Sequence, residues 1–250
     1  ASCYRLMVID DLADRWHDCD LLLDQNLGRA EADYSALLPP RTLACIGPQY
    51  ALLRPEFGQL RAASLARRAQ PELRRMLITL GGVDKGNVTG RVLAALRSCR
   101  LPADLAVTVV MGPHAPWLAQ VQAQAAAMPW PTQVLAGVAN MAQLMAESDL
   151  AIGAAGSTSW ERCCLGLPAI QLVLADNQAE AAAALSALGA VASIGSAAGL
   201  ADELAVLLMQ LDGPRLQQLS QRAALVCDGR GTPGIAAELL KMLDHHEENL

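Results

Sequence analysis

From Arg75 onward the chain alternates short apolar runs with longer segments of helical period, and this alternation restricts its fold more than any other feature. The runs Arg75–Leu80, Leu105–Met111, Thr132–Leu135, Leu150–Ile152, Ala169–Leu174 and Ala190–Ile194 read as strands. Helices are predicted at about Asn87–Arg100, Pro116–Met128, Asn140–Glu147, Ser159–Leu165, Gln178–Leu188 and Leu200–Leu211. A strand followed by a helix does not close as a hairpin, because the helix carries the chain back over the sheet and starts the next strand parallel to the last. The pattern predicts an α/β fold with a doubly wound parallel sheet, in which ligands collect beyond the carboxyl ends of the strands. Two further helices, Pro214–Cys227 and Gly234–His246, are expected to close the chain.

The candidate chemistry therefore lies in the loops after the strands. Gly153–Glu161 joins an apolar strand to a helix through small residues, which leaves backbone open to a close ligand and the first N–H groups of the helix free for a phosphate. Gly156, Ser157 and Thr158 are the expected contacts, and Glu161, one turn into the helix, is placed to accept hydrogen bonds from a ribose diol. Thr158 and Glu161 also fit a capping box, with Thr158 as N-cap, and the sequence leaves both readings open. The glycine-rich loop Gly81–Asn87 offers Gly81, Gly82, Asp84 and Asn87 as an anion cradle, although it is neither a Walker loop nor a complete dinucleotide fingerprint. Asn177 and Gln178 could meet a sugar or a uracil edge, whereas His114 reads as a surface turn residue.

The first 57 residues contain three apolar runs, Arg5–Ile9, Asp20–Leu23 and Thr42–Ile46, which is too little for a domain. Asp10-Asp11-Leu12-Ala13-Asp14-Arg15 follows the first run, either as a ligand-facing cluster or as a solvated turn. The passage Gly47–Phe57 is proline-bounded and aperiodic, and the basic segment Arg61–Arg75 is predicted to be a helix crossing between domains. The expected division is a domain remnant over residues 1–57, a crossing over 58–74, a nucleotide-sugar-binding domain over 75–227 and a closing helix over 228–250.

Composition narrows the partners. The formal net charge is −6 with both signs interspersed, which argues against a nucleic-acid surface, and no apolar run reaches the roughly 18 residues of a membrane span. Seven cysteines without metal-ligand spacing read as buried thiols of a reducing, cytoplasmic compartment, with neither disulfides nor zinc expected.

Taken together, the motifs resemble those of the PseG-type UDP-sugar hydrolases of pseudaminic acid biosynthesis, relatives of the MurG-like GT-B glycosyltransferases. The resemblance rests on Val8–Arg15, His17–Asn26, Gly47–Phe57, Gly81-Gly82 with Asp84 and Asn87, Gly156–Glu161 and Asn177-Gln178. It implies a GT-B-like fold, a UDP-linked amino sugar as ligand, and hydrolysis of a UDP-linked 2,4-diacetamido-2,4,6-trideoxy sugar without metal or cofactor. The family's catalytic histidine lies in a Gly-x-Gly-His-x-x-Arg motif that this sequence lacks, so no catalytic residue is assigned. The resemblance thus implies a parent protein longer at its N-terminus by roughly one hundred residues, an ordinary domain's worth. This chain alone is then expected to be inactive. Its strands before residue 57 would lack their own covering helices and invite self-association. A MurG-type glycosyltransferase and a catalytically silent nucleotide-sugar-binding module are the alternatives.

Overall fold

The computed structural model describes residues 5–195 and 199–247. Two parallel sheets are present among them. The smaller contains β1 (Met7–Ile9), β2 (Leu21–Asp24) and β3 (Leu43–Ile46) in that order, with Met7 opposite Leu21 and Leu22 opposite Ala44. A single-turn helix, α1 (Glu31–Tyr34), lies between β2 and β3, and a 3-10 turn (Pro48–Tyr50) leads from β3 to α2 (Pro55–Arg67). Then follow β4 (Arg75–Thr79), α3 (Val88–Leu96), β5 (Ala106–Met111), α4 (Leu118–Ala126), β6 (Thr132–Ala136), α5 (Met141–Glu147), β7 (Leu150–Ala154) and α6 (Thr158–Cys164). After these come β8 (Ala169–Leu172), α7 (Ala179–Ala187), β9 (Ala192–Ile194), α8 (Leu200–Met209), α9 (Gly213–Ala224) and α10 (Gly231–Glu247).

The larger sheet runs β6-β5-β4-β7-β8-β9, and every pair in it is parallel. Its chain winds outward from β4 through β5 to β6, then returns to the other side of β4 as β7. Loops leaving β4 and β7 consequently diverge to opposite faces, and a crevice opens between them. Buried apolar residues fill both faces of this sheet, as a parallel sheet demands. Met76, Ile78, Val92, Leu96 and Leu204 pack on one side, while Leu77, Met145, Trp160, Cys163 and Leu185 pack on the other.

Two expectations require correction here. The helix predicted over Arg61–Arg75 instead runs from Pro55 to Arg67, because proline at its first position needs no N–H partner and presets the helical φ. Its arginines tie it to the larger unit rather than leaving it as a free crossing. Arg61 donates to the carbonyls of Cys164, Ala224 and Cys227, and buried Arg68 donates to those of Met145 and Ser148. The smaller sheet, expected to be uncovered, is covered on both faces. Cys19, Leu22, Tyr34 and Ile46 close one side; Leu21, Leu23 and Cys45 meet Ile235, Leu239 and Met242 of α10 on the other. Side chains alternate along β2, so each face of the strand finds a separate partner. Both edges keep some apolar exposure, at Ile9 of β1, 59% exposed, and at Leu43 of β3.

Candidate functional site

At the carboxyl end of β4 the glycine-rich loop is shaped by its own side chains. Asp84 and Asn87 both adopt positive φ, and Gly81 has a φ of 96°. The Asp84 carboxylate accepts from the N–H groups of Val88 and Thr89, each at 2.8 Å, and Asn87 Oδ1 accepts from Gly90 N–H at 3.2 Å. Three of the first N–H groups of α3 are thereby satisfied internally. Gly112, after β5, donates its N–H to the Gly82 carbonyl at 2.9 Å, and a Cβ at 112 would overlap that carbonyl. Glycine is required at 112 by this close approach.

The loop after β7 supplies the opposite wall. Gly153 packs against the guanidinium of Arg162, which is fully buried; a side chain at 153 would strike Arg162 Nη1. Arg162 donates to the Ala154 carbonyl at 2.8 Å, Ser159 Oγ at 2.9 Å and Thr158 Oγ1 at 3.2 Å. Burial lowers its pKa to about 10, with Glu161 and Cys163 opposing the shift. This cation stiffens the turn from beneath. Ser159 and Trp160 return their N–H groups to the carbonyls of Gly156 and Ser157, so the helix starts one residue earlier than the capping box required. Ser157 is the N-cap and makes no side-chain cap bond, Thr158 is the first helical residue, and the capping-box reading of Thr158 and Glu161 is corrected. Among the described residues, the N–H groups of Gly156, Ser157 and Thr158 have no acceptor.

Two clefts meet at this lip. The larger, about 960 Å³, is lined by Gly81, Gly82, Asp84, Lys85, Arg91, Gly156, Ser157, Thr158 and Gln178. The second, about 570 Å³, lies between the small sheet and the β7–α7 region, where Asp10, Asp11, Gln25, Asn26 and Arg29 face Gly156, Ser157, Gln171, Gln178 and Glu180. Gln178 accepts from Leu174 N–H at 3.0 Å and thereby folds its own loop against the cleft. Asn177 lies in a 3-10 turn, and its side chain is outside what the structure describes.

Behind the second cleft a buried acid pair anchors the small unit. Tyr34 Oη lies 2.9 Å from both Asp10 Oδ2 and Asp24 Oδ2, yet has one proton to give. Burial pushes the Asp24 carboxyl up, against the N–H of Asn26 and the hydroxyl of Tyr34, which pull it down. For Asp10, burial alone would raise the pKa, but the N–H groups of Ala13 and Leu12 and the Tyr34 hydroxyl outweigh it and the net shift is downward. The one hydroxyl of Tyr34 thus bridges two carboxylates, and Asp24 Oδ2 also faces Arg29 Nε at 3.8 Å. His17 Nε2 lies 3.4 Å from Asp10 Oδ1.

Of the residues singled out from sequence, Gly81, Gly82, Asp84, Gly156, Ser157, Thr158 and Gln178 line the clefts. Asn87 does not; it caps α3. Glu161 lines neither cleft, but sits half-buried on α6, with Arg54 and Arg162 as its nearest opposing charges. Burial pushes its carboxyl up, and those two cations pull it back. Sequence reasoning missed Arg162, Arg29 and Gln171. A polar residue inside the apolar run Ala169–Leu172 was the signal for the last. Among the described residues no cluster of three or more His, Cys, Asp or Glu could hold a metal, and no helix is long and apolar enough to cross a membrane.

Comparison with known proteins matches residues 79–226 to the glycosyltransferase family 28 C-terminal domain. The chain is 28% identical over 196 residues to the spore coat polysaccharide biosynthesis protein SpsG of Bacillus subtilis, covering 77% of this chain and 57% of that protein. An uncharacterized protein of Methanocaldococcus jannaschii is 32% identical over 142 residues, covering 56% of this chain and 29% of its own length. The chain thus spans well under two thirds of these relatives. Among solved structures, Acinetobacter baumannii MurG superposes with a TM-score of 0.66 at 20% identity, covering 88% of this chain and 66% of that one. The S. aureus MnaA-UDP structure gives 0.62 at 14% identity, covering 90% and 61%. The fold is of the MurG-like GT-B type, with a Rossmann-like parallel sheet.

Proposed function

We propose, from the fact that the chain belongs to the glycosyltransferase family 28 C-terminal domain family, that it binds a UDP-linked amino sugar across its two joined clefts. The pyrophosphate occupies the larger cleft, the sugar the smaller, and the bond to be broken lies near Gly156 and Ser157. The observation that carries this reading is the lip itself: unpaired backbone N–H donors at the sheet's switch point, shared by both clefts. Lys85 and Arg91 line the larger cleft, and the Asp84 carboxylate there is directed into the α3 N–H groups, so that wall can take an anion. Donors fixed at the lip stabilise the departing diphosphate without having to reorganise. The nucleoside extends past both clefts to Glu161, in the first turn of α6, which accepts from the ribose hydroxyls. A structural neighbour of the same fold that holds UDP supports the choice of nucleotide.

The reaction we favour for the parent protein, to which this chain supplies mainly the UDP-binding domain, is hydrolysis, releasing UDP and a diacetamido trideoxy sugar as in the PseG-type enzymes. Its support is the resemblance of residues 8–26 and 47–57, several of which face the sugar cleft. Glycosyl transfer of the MurG type is the second reading, supported by the MurG superposition and the family match. UDP release from the UDP-linked diacetamido sugar, measured with no sugar acceptor present, separates them. Release into water supports hydrolysis; release only on adding an acceptor supports transfer. Binding without release under either condition is what a chain lacking the family's histidine motif is expected to show, and it leaves this chain the role of a sugar-nucleotide-binding unit.

A further inference from the structure

Behind the lip, a line of hydrogen bonds runs from a buried cation to a donor without an acceptor among the described residues. Arg162 Nη2 donates to Ser159 Oγ at 2.9 Å, and Ser159 Oγ lies 3.1 Å from Gln171 Oε1. A serine oxygen that accepts from a guanidinium keeps its own proton for donation. The Gln171 amide is therefore held with its oxygen toward Ser159. The flipped amide would set two donors on one serine oxygen and strand the serine proton. Gln171 is completely buried, lines the smaller cleft, and its Nε2 has no acceptor among the described residues. A buried donor without a partner is costly, and here it borders a cleft from which a ligand can supply the acceptor.

The cleft also indicates what kind of acceptor. Asp10, Asp11, Asp176 and Glu180 line it against Arg29, with Arg162 buried behind the wall, so an added carboxylate is disfavoured and a neutral oxygen is not. Trp160, Ala182 and Leu185 give an apolar surface beside Gln171 that suits a small alkyl group. Resting on the sugar-nucleotide reading above, we propose that Gln171 is a specificity-determining residue, donating from Nε2 to the carbonyl oxygen of an acylamino group on the bound sugar. Arg162 and Ser159 are positioning residues that fix which end of the amide faces the ligand.

Calorimetric titration with UDP, UDP-glucose and UDP-N-acetylglucosamine tests this, because the two sugar nucleotides differ only by hydroxyl against acetamido at one carbon. The unmodified protein should bind the acetamido sugar about tenfold more tightly than the glucose compound, the scale of one hydrogen bond to an otherwise stranded donor. Gln171→Met, similar in length but without the donor, should bring that ratio close to one and leave UDP affinity unchanged. Ser159→Ala, which frees the amide to turn, should reduce the ratio partway. Should Gln171→Met not fold, the Gln171 side-chain amide resonance of the unmodified protein decides: it should shift downfield with UDP-N-acetylglucosamine and not with UDP-glucose. An unchanged ratio in Gln171→Met, or an amide resonance indifferent to the acetamido group, overturns the proposal. If UDP binds but the two sugars are not distinguished, the role of Gln171 fails while the nucleotide reading stands; if UDP does not bind, both fail.

Discussion

Replacing Asp84 by alanine separates a loop-building role from a ligand-binding one. Its carboxylate is buried and accepts two backbone N–H groups of α3 at 2.8 Å, where the helix dipole adds to both bonds. N-terminal caps are worth about 0.5–2 kcal/mol, and hydrogen bonds to a charged group about 1.5–3 kcal/mol each. Part of that returns when water reaches the uncapped N–H groups, so Asp84→Ala should cost about 2–4 kcal/mol. For a chain of this size that lowers the thermal midpoint by roughly 5–15 °C. Asp84→Asn keeps one acceptor and should lose about half as much. Measured by calorimetry on the folded fraction, UDP affinity should fall by less than about threefold, since the loss acts through loop order rather than a direct contact. A thermal midpoint unmoved by Asp84→Ala, with UDP affinity reduced tenfold or more, would refute the capping argument and make Asp84 a ligand contact.

Three other outcomes follow from the geometry. Gly153→Ala should destabilise by about 1–3 kcal/mol, because its methyl group meets a buried guanidinium that would have to give up hydrogen bonds to withdraw; denaturant unfolding within about 0.5 kcal/mol of wild type would contradict this. Burial holds the Glu161 carboxyl above its usual range, so the folded state keeps that proton more tightly and stability falls as pH rises from the ordinary carboxylate pKa through the raised one. Glu161→Gln should remove that fall while weakening UDP binding; a pH–stability profile identical to wild type would refute the first half. Tyr34→Phe removes the hydroxyl that Asp10 and Asp24 share, and should cost about 2–3 kcal/mol; hydrogen exchange should show the loss concentrated in β1–β3, and uniform protection would count against its anchoring role.

Much of the larger sheet was legible because its signals are local. Apolar strands, small residues at the strand ends and Pro214 just inside a helix behind Asp212 all act within a few residues. The smaller unit was misjudged because half its cover comes from Ile235, Leu239 and Met242, nearly two hundred residues away, and periodicity carries no information about such partners. Pro55–Arg67 escaped notice at its start because Gly58 and Pro55 interrupt the helical pattern. In the site, the small residues after β4 and β7 were readable as approaches for a ligand, but their internal bonding was not. Asp84 and Asn87 look like ligand contacts in sequence and spend their oxygens on α3. Arg162 and Gln171 read as a surface charge and an interruption until burial and the Ser159 bridge are known.

The central claim, that the Gly156–Ser157 lip receives a uridine diphosphate, is tested most directly by titrating UDP and AMP into the protein and into Gly156→Val. Among the described residues only Gln178 Nε2 comes within 4 Å of a Cβ at 156, at 3.9 Å, and the φ there is not positive, so the substitution blocks the lip without straining the backbone. UDP should bind the unmodified protein at least about tenfold more tightly than AMP, and Gly156→Val should lose at least about tenfold in UDP affinity at an unchanged thermal midpoint. Equal affinity for UDP and AMP, or UDP binding indifferent to valine at 156, would contradict the account.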